Sequence, residues 1–327
     1  MLCHHLRSCD IEAFLVIIGS DRFQEKINPN LNTPILDDNL VREHYEENKI
    51  SIVVYSETVP GNPLNAPHVI RYVMNYPGAL GGAVEFDKNE LVISYSKNIQ
   101  RRTSSSNFVL FIPIVEIDEL PTSFQKEDLV LVYAGKYRAF VGKPDLSFLG
   151  DNFKEIYRDG PKKQDRKEVL NLLAKAKRIY IWENSTIATE AVLMGTECVF
   201  VRNVFFDEII AEHELGLEGS RMLSNFEILE FDENEFIKAR KQYEACLKSL
   251  DKNIRAFNNY VENWLSESNI RMIRMHLPNS VFQVVRHRVR ILNTILRTKG
   301  LVSAVRIVIH FGIFRLYKIK IRLQNYK

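Results

Sequence analysis

Short β-branched and aromatic runs alternate with segments of helical periodicity along most of the chain, and this alternation narrows its fold more than any other feature. EAFLVIIGS (12–20), ISIVVYSE (50–57), HVIRYVMNYPG (68–78), LVISYS (91–96) and NFVLFIPI (107–114) form a first block. DLVLVYAGK (128–136), FKEIYRDG (153–160), RIYIWE (178–183) and ECVFVRN (197–203) form a second. Helical DRKEVLNLLAKA (165–176) and TIATEAVLM (186–194) separate the strands of the second block, and a further helix is expected near 205–215. Strands that are apolar at successive positions are buried on both faces, the pattern of parallel sheets covered by helices. The expected fold class is α/β, and 327 residues suffice for two cores. The domains are placed at 1–125 and 126–265, with a hinge over 115–127, where Pro121 and several charges fall. MLCHHLRSCD reads as the end of a helix where a doubly wound domain normally opens with a strand. The first domain is therefore expected to be incomplete, its first strand and loop missing, with EAFLVIIGS as its second strand.

From about 233 the pattern is helical, and the charge balance then changes. Beyond Glu267 there is no Asp or Glu and there are 13 Lys or Arg. Residues 1–267 hold the other 31 of 44 basic side chains against all 41 acidic ones, a net of −10. Arg286, Arg290 and Arg297 fall on one face at helical spacing, as do Arg315, Lys318 and Arg322, while Val, Ile, Leu and Phe fill the other side. Beyond Pro278 the longest stretch without Lys or Arg is IVIHFGIF (307–314), far below the ~20 residues of a spanning helix. Residues 266–327 are read as basic amphipathic helices, with 279–327 lying on an anionic membrane surface. A basic helix packed on protein or bound to nucleic acid is the alternative. The interleaved aliphatics favour lipid, and no nucleic-acid partner is expected. The four cysteines show no metal spacing and fit a reducing compartment.

The chemistry concentrates where strands end, because ligands of open α/β sheets bind beyond the carboxyl ends of the strands. RIYIWE delivers Glu183, Asn184, Ser185 and Thr186 to the start of the next helix. The unpaired N–H groups there favour an anion, and Ser185 and Thr186 either cap the helix or donate to a phosphate. Glu190, about one turn further in, is placed to accept the hydroxyl hydrogens of a ribose diol. Gly135 and Lys136 end one neighbouring strand and Arg158 another, two cations suited to a diphosphate. No GxxxxGK[ST] or GxGxxG is present, so neither a P-loop nor a dinucleotide fingerprint is expected.

Glu183, Ser185, Thr186, Glu190, Ala191, Gly195 and Thr196 together resemble the donor-site signature of glycosyltransferases of the two-domain GT-B fold. That resemblance implies two Rossmann-like domains facing a cleft. Glu190 would bind the donor's ribose, residues 183–186 would approach sugar and phosphates, and Lys136 would sit on the diphosphate. Glu183 stands one residue closer to Glu190 than is common in retaining families, and Glu197 replaces the proline that often follows Gly-Thr. The role of Glu183 and the stereochemical class are therefore left open. The stretch SETVPGNPLNAPHVIRYVMNYPGALGG (56–82) resembles the acceptor-side domain of bacterial polysaccharide and O-antigen glycosyltransferases, with Asn62, Asn75, Gly81 and Gly82 as acceptor-side residues. Glu57 and His68 are its candidates for a general base.

The expected activity is transfer of a sugar from a nucleotide sugar to a lipid-linked oligosaccharide or polysaccharide, as in lipopolysaccharide synthesis. The protein is expected to be cytoplasmic and peripheral on the inner membrane. No cofactor or metal is expected, since no DxD-type pair ends a strand. The alternatives are a nucleotide-sugar epimerase or hydrolase of the same fold, or a non-catalytic nucleotide-sugar-binding membrane adaptor.

Overall fold

Two sheets, each wholly parallel, organise the chain. The structure is a computed structural model and describes residues 1–17, 28–121, 125–158, 160–204, 206–217, 222–223, 233–268, 273–275 and 277. Two units divide it: Met1–Pro113 with the described residues from Ala245 onward, and Ile114–Glu244.

In the first unit, α1 (Leu2–Ser8) and α2 (Asp38–Glu46) precede β1 (Ile52–Ser56), β2 (His68–Val73) and β3 (Leu91–Ser94), then α3 (Lys97–Arg102) and β4 (Ser106–Val109). The sheet order is β1-β2-β3-β4. Successive side chains leave opposite faces of a strand, and both faces are covered here. Ile70, Tyr72, Ile93 and Leu110 pack with Cys9 on one side. On the other, Val53, Tyr55 and Val69 pack with Leu36, Val41 and Leu64. Asp37 starts α2 by accepting the N–H groups of Asn39 and Leu40, each at 2.9 Å.

The second unit runs β5 (Glu127–Tyr133), α4 (Gly135–Phe140), β6 (Phe153–Glu155), α5 (Arg166–Lys175), β7 (Ala176–Ile181), α6 (Thr186–Leu193), β8 (Glu197–Val201) and β9 (Met222–Leu223). The order β6-β5-β7-β8-β9 puts β5, β7 and β8 inside the sheet, and each carries an apolar run there, LVLVY, IYI and CVFV. Val132, Tyr180, Trp182, Val199 and Val201 form one core with Leu146, and α5 lies against β5 and β7. Two long helices follow, α7 (Glu233–Lys248) and α8 (Leu250–Glu267).

The structure departs from the sequence reading at three places. The second unit closes at Glu244, not at 265, and opens at Ile114, not at 126. The cause is α8: Leu250, Ile254, Phe257 and Val261 form an apolar stripe on the core of the first sheet, so the chain returns to the unit it left. Residues 12–17 of the expected second strand lie outside the sheet and make one parallel bridge, Leu15 to Ile35. Their Phe14 and Val16 pack as an extended flap on the α2 side. The segment expected as a helix near 205–215 is, in its described part, a series of turns. There the Asn184 amide takes over helical hydrogen bonds, accepting from Ile210 N at 2.8 Å and donating to the Glu208 carbonyl at 3.1 Å. The basic tail 279–327 lies outside the described residues.

Candidate functional site

Parallel strands bring β5, β6 and β7 to a common carboxyl edge in the second unit, and the strand-end residues singled out in the sequence meet there. Ser185 is extended and its Oγ accepts the Ile187 N–H at 3.3 Å, which starts α6. No acidic side chain occupies the first turn of that helix. Lys136, in the first turn of α4, donates to the Asn184 carbonyl at 2.8 Å. Glu183 is fully buried, and its Oε2 accepts the Tyr137 N–H at 3.0 Å. Burial pushes the Glu183 carboxyl above its usual range, against the opposing pull of the Lys136 ammonium and the donated N–H. Glu183 thus caps α4, a helix whose own N-cap residue, Ala134, has no side chain to do so. Gly135 opens α4, and a Cβ there would stand 3.0 Å from the Tyr133 hydroxyl.

Glu190 lies inside this edge, 1% exposed. Its Oε1 is held by Arg166 Nη1 at 2.5 Å, and Arg166 Nη2 reaches Glu119 Oε2 at 3.1 Å. Glu190 Oε2 faces Arg158 Nη1 at 3.9 Å, beyond hydrogen-bond length. Neither of these two buried atoms has a hydrogen-bond partner among the described residues. The structure brings Lys136, Arg158, Glu183, Asn184, Ser185, Thr186 and Glu190 to one edge, with three of them, Lys136, Glu183 and Asn184, engaged in ties between loops.

The acceptor-side residues belong to the first unit, and only some of them converge. Glu57, 2% exposed, follows β1 directly, and its Oε2 accepts the Met74 N–H at 3.0 Å. Its carbonyl accepts the Ala83 N–H at 3.1 Å. Gly82, at φ +92°, makes this approach possible: a Cβ there would fall on the Glu57 carbonyl and 2.5 Å from Thr58 Cα. Gly81 bridges to Gly78 in the same turn, and Asn75 Oδ1 accepts the Tyr76 N–H at 2.8 Å. Asn62 serves its own loop, accepting from Tyr55 Oη and Ala66 N and donating to the Ala66 carbonyl. His68 pairs in register with Ile52, at the amino end of its strand, and meets Trp264 edge to face at 5.9 Å. It therefore lies at the opposite end of β2 from the Glu57 turn and shares no edge with it.

Two residues central to these geometries carried no signal of their own. Arg166 was legible only as the first residue of a helix, and its partner stands 24 positions away. Arg71 was part of a quoted motif, yet its role appears only in three dimensions. It is 1% exposed, paired with Glu90, and donates to the Val59 and Gly61 carbonyls. Among the described residues no group of three His, Cys, Asp or Glu is placed to hold a metal ion, and no helix is long and apolar enough to cross a membrane.

No family model matches the sequence, and no curated protein matches it. Among solved structures the chain is similar to the glycosyltransferase SnogD from Streptomyces nogalater, at 14% identity over 76% of this chain and 94% of that one, with a TM-score of 0.37. It is also similar to the spinosyn forosaminyltransferase SpnP, at 14% identity over 80% of this chain and 90% of that one, with a TM-score of 0.37.

Proposed function

We propose that the chain is a glycosyltransferase that takes a nucleotide-diphosphate sugar in its second unit. One observation carries this reading. A buried carboxylate, Glu190, keeps one oxygen without a partner at the carboxyl edge of a parallel sheet, about one turn into the helix that Ser185 caps. That edge is where α/β sheets receive ligands, and the adjacent helix start favours a diphosphate by about 0.3–1 kcal/mol per charge. Lys136 and the N–H group of Thr186 would stabilise the charge on the departing diphosphate, a large term in such reactions. No metal is assigned a role.

In the proposed reaction an acceptor hydroxyl attacks the anomeric carbon as the bond to the diphosphate breaks, the electron pair leaving with the diphosphate. Glu57 is the proposed base for the hydroxyl proton. The acceptor is proposed to be a lipid-linked oligosaccharide or polysaccharide of the O-antigen or lipopolysaccharide type at the cytoplasmic membrane face. Support for the membrane comes from the sequence: the last 60 residues hold 13 basic side chains and no acidic one. A second reading, a nucleotide-sugar-binding adaptor without transfer activity, is favoured by the burial of Glu57 and its tie to Met74.

A thermal-shift panel of UDP-, GDP-, dTDP- and CMP-sugars tests the central claim. At least one should stabilise the protein, and Glu190→Ala should abolish that shift. A flat panel would remove the donor site. Transfer lost in Glu57→Gln with donor binding intact separates the enzyme from the adaptor, which has no transfer to lose. Deleting 279–327 should release the protein from anionic vesicles.

A further inference from the structure

After α8 the chain returns to the α2 side of the first sheet, and its last described residues stay there. Met275 is 9% exposed within the cluster of Leu36, Val41, Val53 and Val69, and Leu277 packs against it. The outer surface of α2 is both apolar and acidic. Tyr45 is 43% exposed, and Ile50, just past the helix, is 38% exposed. Asp37, Asp38, Glu43, Glu46 and Glu47 are exposed along this stretch against Arg42 and Lys49. Asp37 is engaged at the helix start, and Lys49 is taken by Glu47 and Glu12. Glu43 and Glu46 make no ion pair among the described residues. Both stand in the second half of α2, where carboxylates oppose the helix dipole, and a cationic neighbour would offset that cost.

The chain itself carries that neighbour. Beyond Leu277 it continues for 50 residues, and VFQVVRHRVRILNTILR (281–297) holds four arginines, no carboxylate and a series of valines, isoleucines and leucines. At ~3.3–3.6 Å per residue, Val281 lies within ~15 Å of Leu277, a residue already packed on the α2 side. A segment tethered so closely acts at an effective concentration in the mM range, so even a weak contact is populated. We propose that residues 281–297 dock on the outer face of α2, with arginines on Glu43 and Glu46 and aliphatic side chains over Tyr45 and Ile50. The same arginines cannot serve this face and an anionic lipid surface at once. Docking therefore competes with the membrane contact proposed for 279–327, and an anionic surface frees α2. The docking itself is independent of the membrane reading, since it takes place without lipid.

Hydrogen exchange of the α2 amides in the full chain, read by mass spectrometry at low salt, tests the contact. Glu43→Gln with Glu46→Gln should speed exchange in α2 by ~5-fold, because a helix relieved of its cover opens more often. Loss of two carboxylates from the end of a helix would by itself slow exchange, so a merely local effect has the opposite sign. Arg286→Gln with Arg288→Gln and Arg290→Gln should speed α2 exchange to the same extent, and joining the two sets should add nothing. Unchanged or slower exchange in either set overturns the docking. Protection that disappears on dilution assigns the face to a second copy of the chain and overturns it too. Vesicles of phosphatidylglycerol and phosphatidylcholine should speed α2 exchange in the unmodified protein, and vesicles of phosphatidylcholine alone should not. Bound anionic vesicles that leave α2 exchange unchanged overturn the competition. If no anionic vesicle binds, the membrane reading fails, while the two sets of variants still decide the docking.

Discussion

Arg71 Nη2 meets Glu90 Oε1 at 2.5 Å, from a side chain that is 1% exposed in the middle of a parallel strand. Its Nε reaches the other oxygen of the same carboxylate at 3.1 Å, so the pair is bidentate. The guanidinium also lies over the rings of Tyr55 and Phe86, at 5.2 and 5.7 Å from their centroids. One side chain thereby fixes the turn after β1, through Val59 and Gly61, and the approach to β3, through Glu90.

Breaking such a pair from one side leaves an uncompensated charge in the interior, at a cost of about 3–5 kcal/mol. Arg71→Met is expected to lose that much in urea unfolding. The double variant Arg71→Met with Glu90→Gln should recover part of it, since the stranded carboxylate is gone. Equal stability of the single variant and the unmodified protein would show that the pair contributes nothing.

Gly82 and Gly61 both sit at positive φ, but only Gly82 has backbone in the path of a Cβ. Gly61→Ala is therefore expected to lose only about 1–2 kcal/mol, for its dihedral angle. Gly82→Ala should lose more, because the turn must also move away from Glu57 and Thr58. Chemical denaturation of the two variants side by side checks the ranking.

Glu183 offers a pH-resolved test of its burial. Its folded carboxyl titrates above the ordinary 4.5, chiefly because it is buried. Between 4.5 and that higher value the folded protein keeps a proton that the unfolded chain has released. Stability should therefore fall as pH rises through this window. Glu183→Gln keeps an acceptor for the Tyr137 N–H and should lack this fall. Parallel melting curves for the two proteins in acid would refute the assignment.

Lys126 gives the opposite sign at the other end of the scale. Its ammonium donates to Thr196 Oγ1 at 2.7 Å, and burial brings its pKa down from 10.5 to about 8. Between those values the unfolded chain holds a proton that the folded protein has lost, so stability should rise with pH there. Lys126→Met removes the titrating group, and its melting temperature should fall behind that of the unmodified protein as pH rises from 8 to 10.

Strands were the most legible part of the chain, because a parallel sheet demands apolar runs buried on both faces and ISIVVYSE, LVISYS and RIYIWE supply them. EAFLVIIGS has the same composition, but its described part bridges to Ile35 outside the sheet. Composition specifies burial, and the partner that provides it is a tertiary matter. The stripe Leu250, Ile254, Phe257 and Val261 likewise announced an apolar face without naming the sheet it covers. At the site, the strand-end clustering of Lys136, Arg158 and the 183–186 turn followed from topology. What each polar atom meets did not. Glu183 holds an N–H of α4, and Arg166 reaches Glu190 from another helix, pairings set by chain segments far apart in sequence.

The return of α8 to the first sheet has a consequence for how the protein is made. The core around Val132, Tyr180, Trp182, Val199 and Val201 draws on one contiguous stretch, 130–201, and can close as soon as that stretch leaves the ribosome. The first sheet is synthesised earlier, yet Ile70, Tyr72, Ile93 and Leu110 lack the cover of α8 until Phe257 and Val261 have emerged. The order of completion is thus the reverse of the order of synthesis, and the earliest-made part of the chain spends the longest time with bare apolar surface, a state prone to aggregation and to chaperone capture.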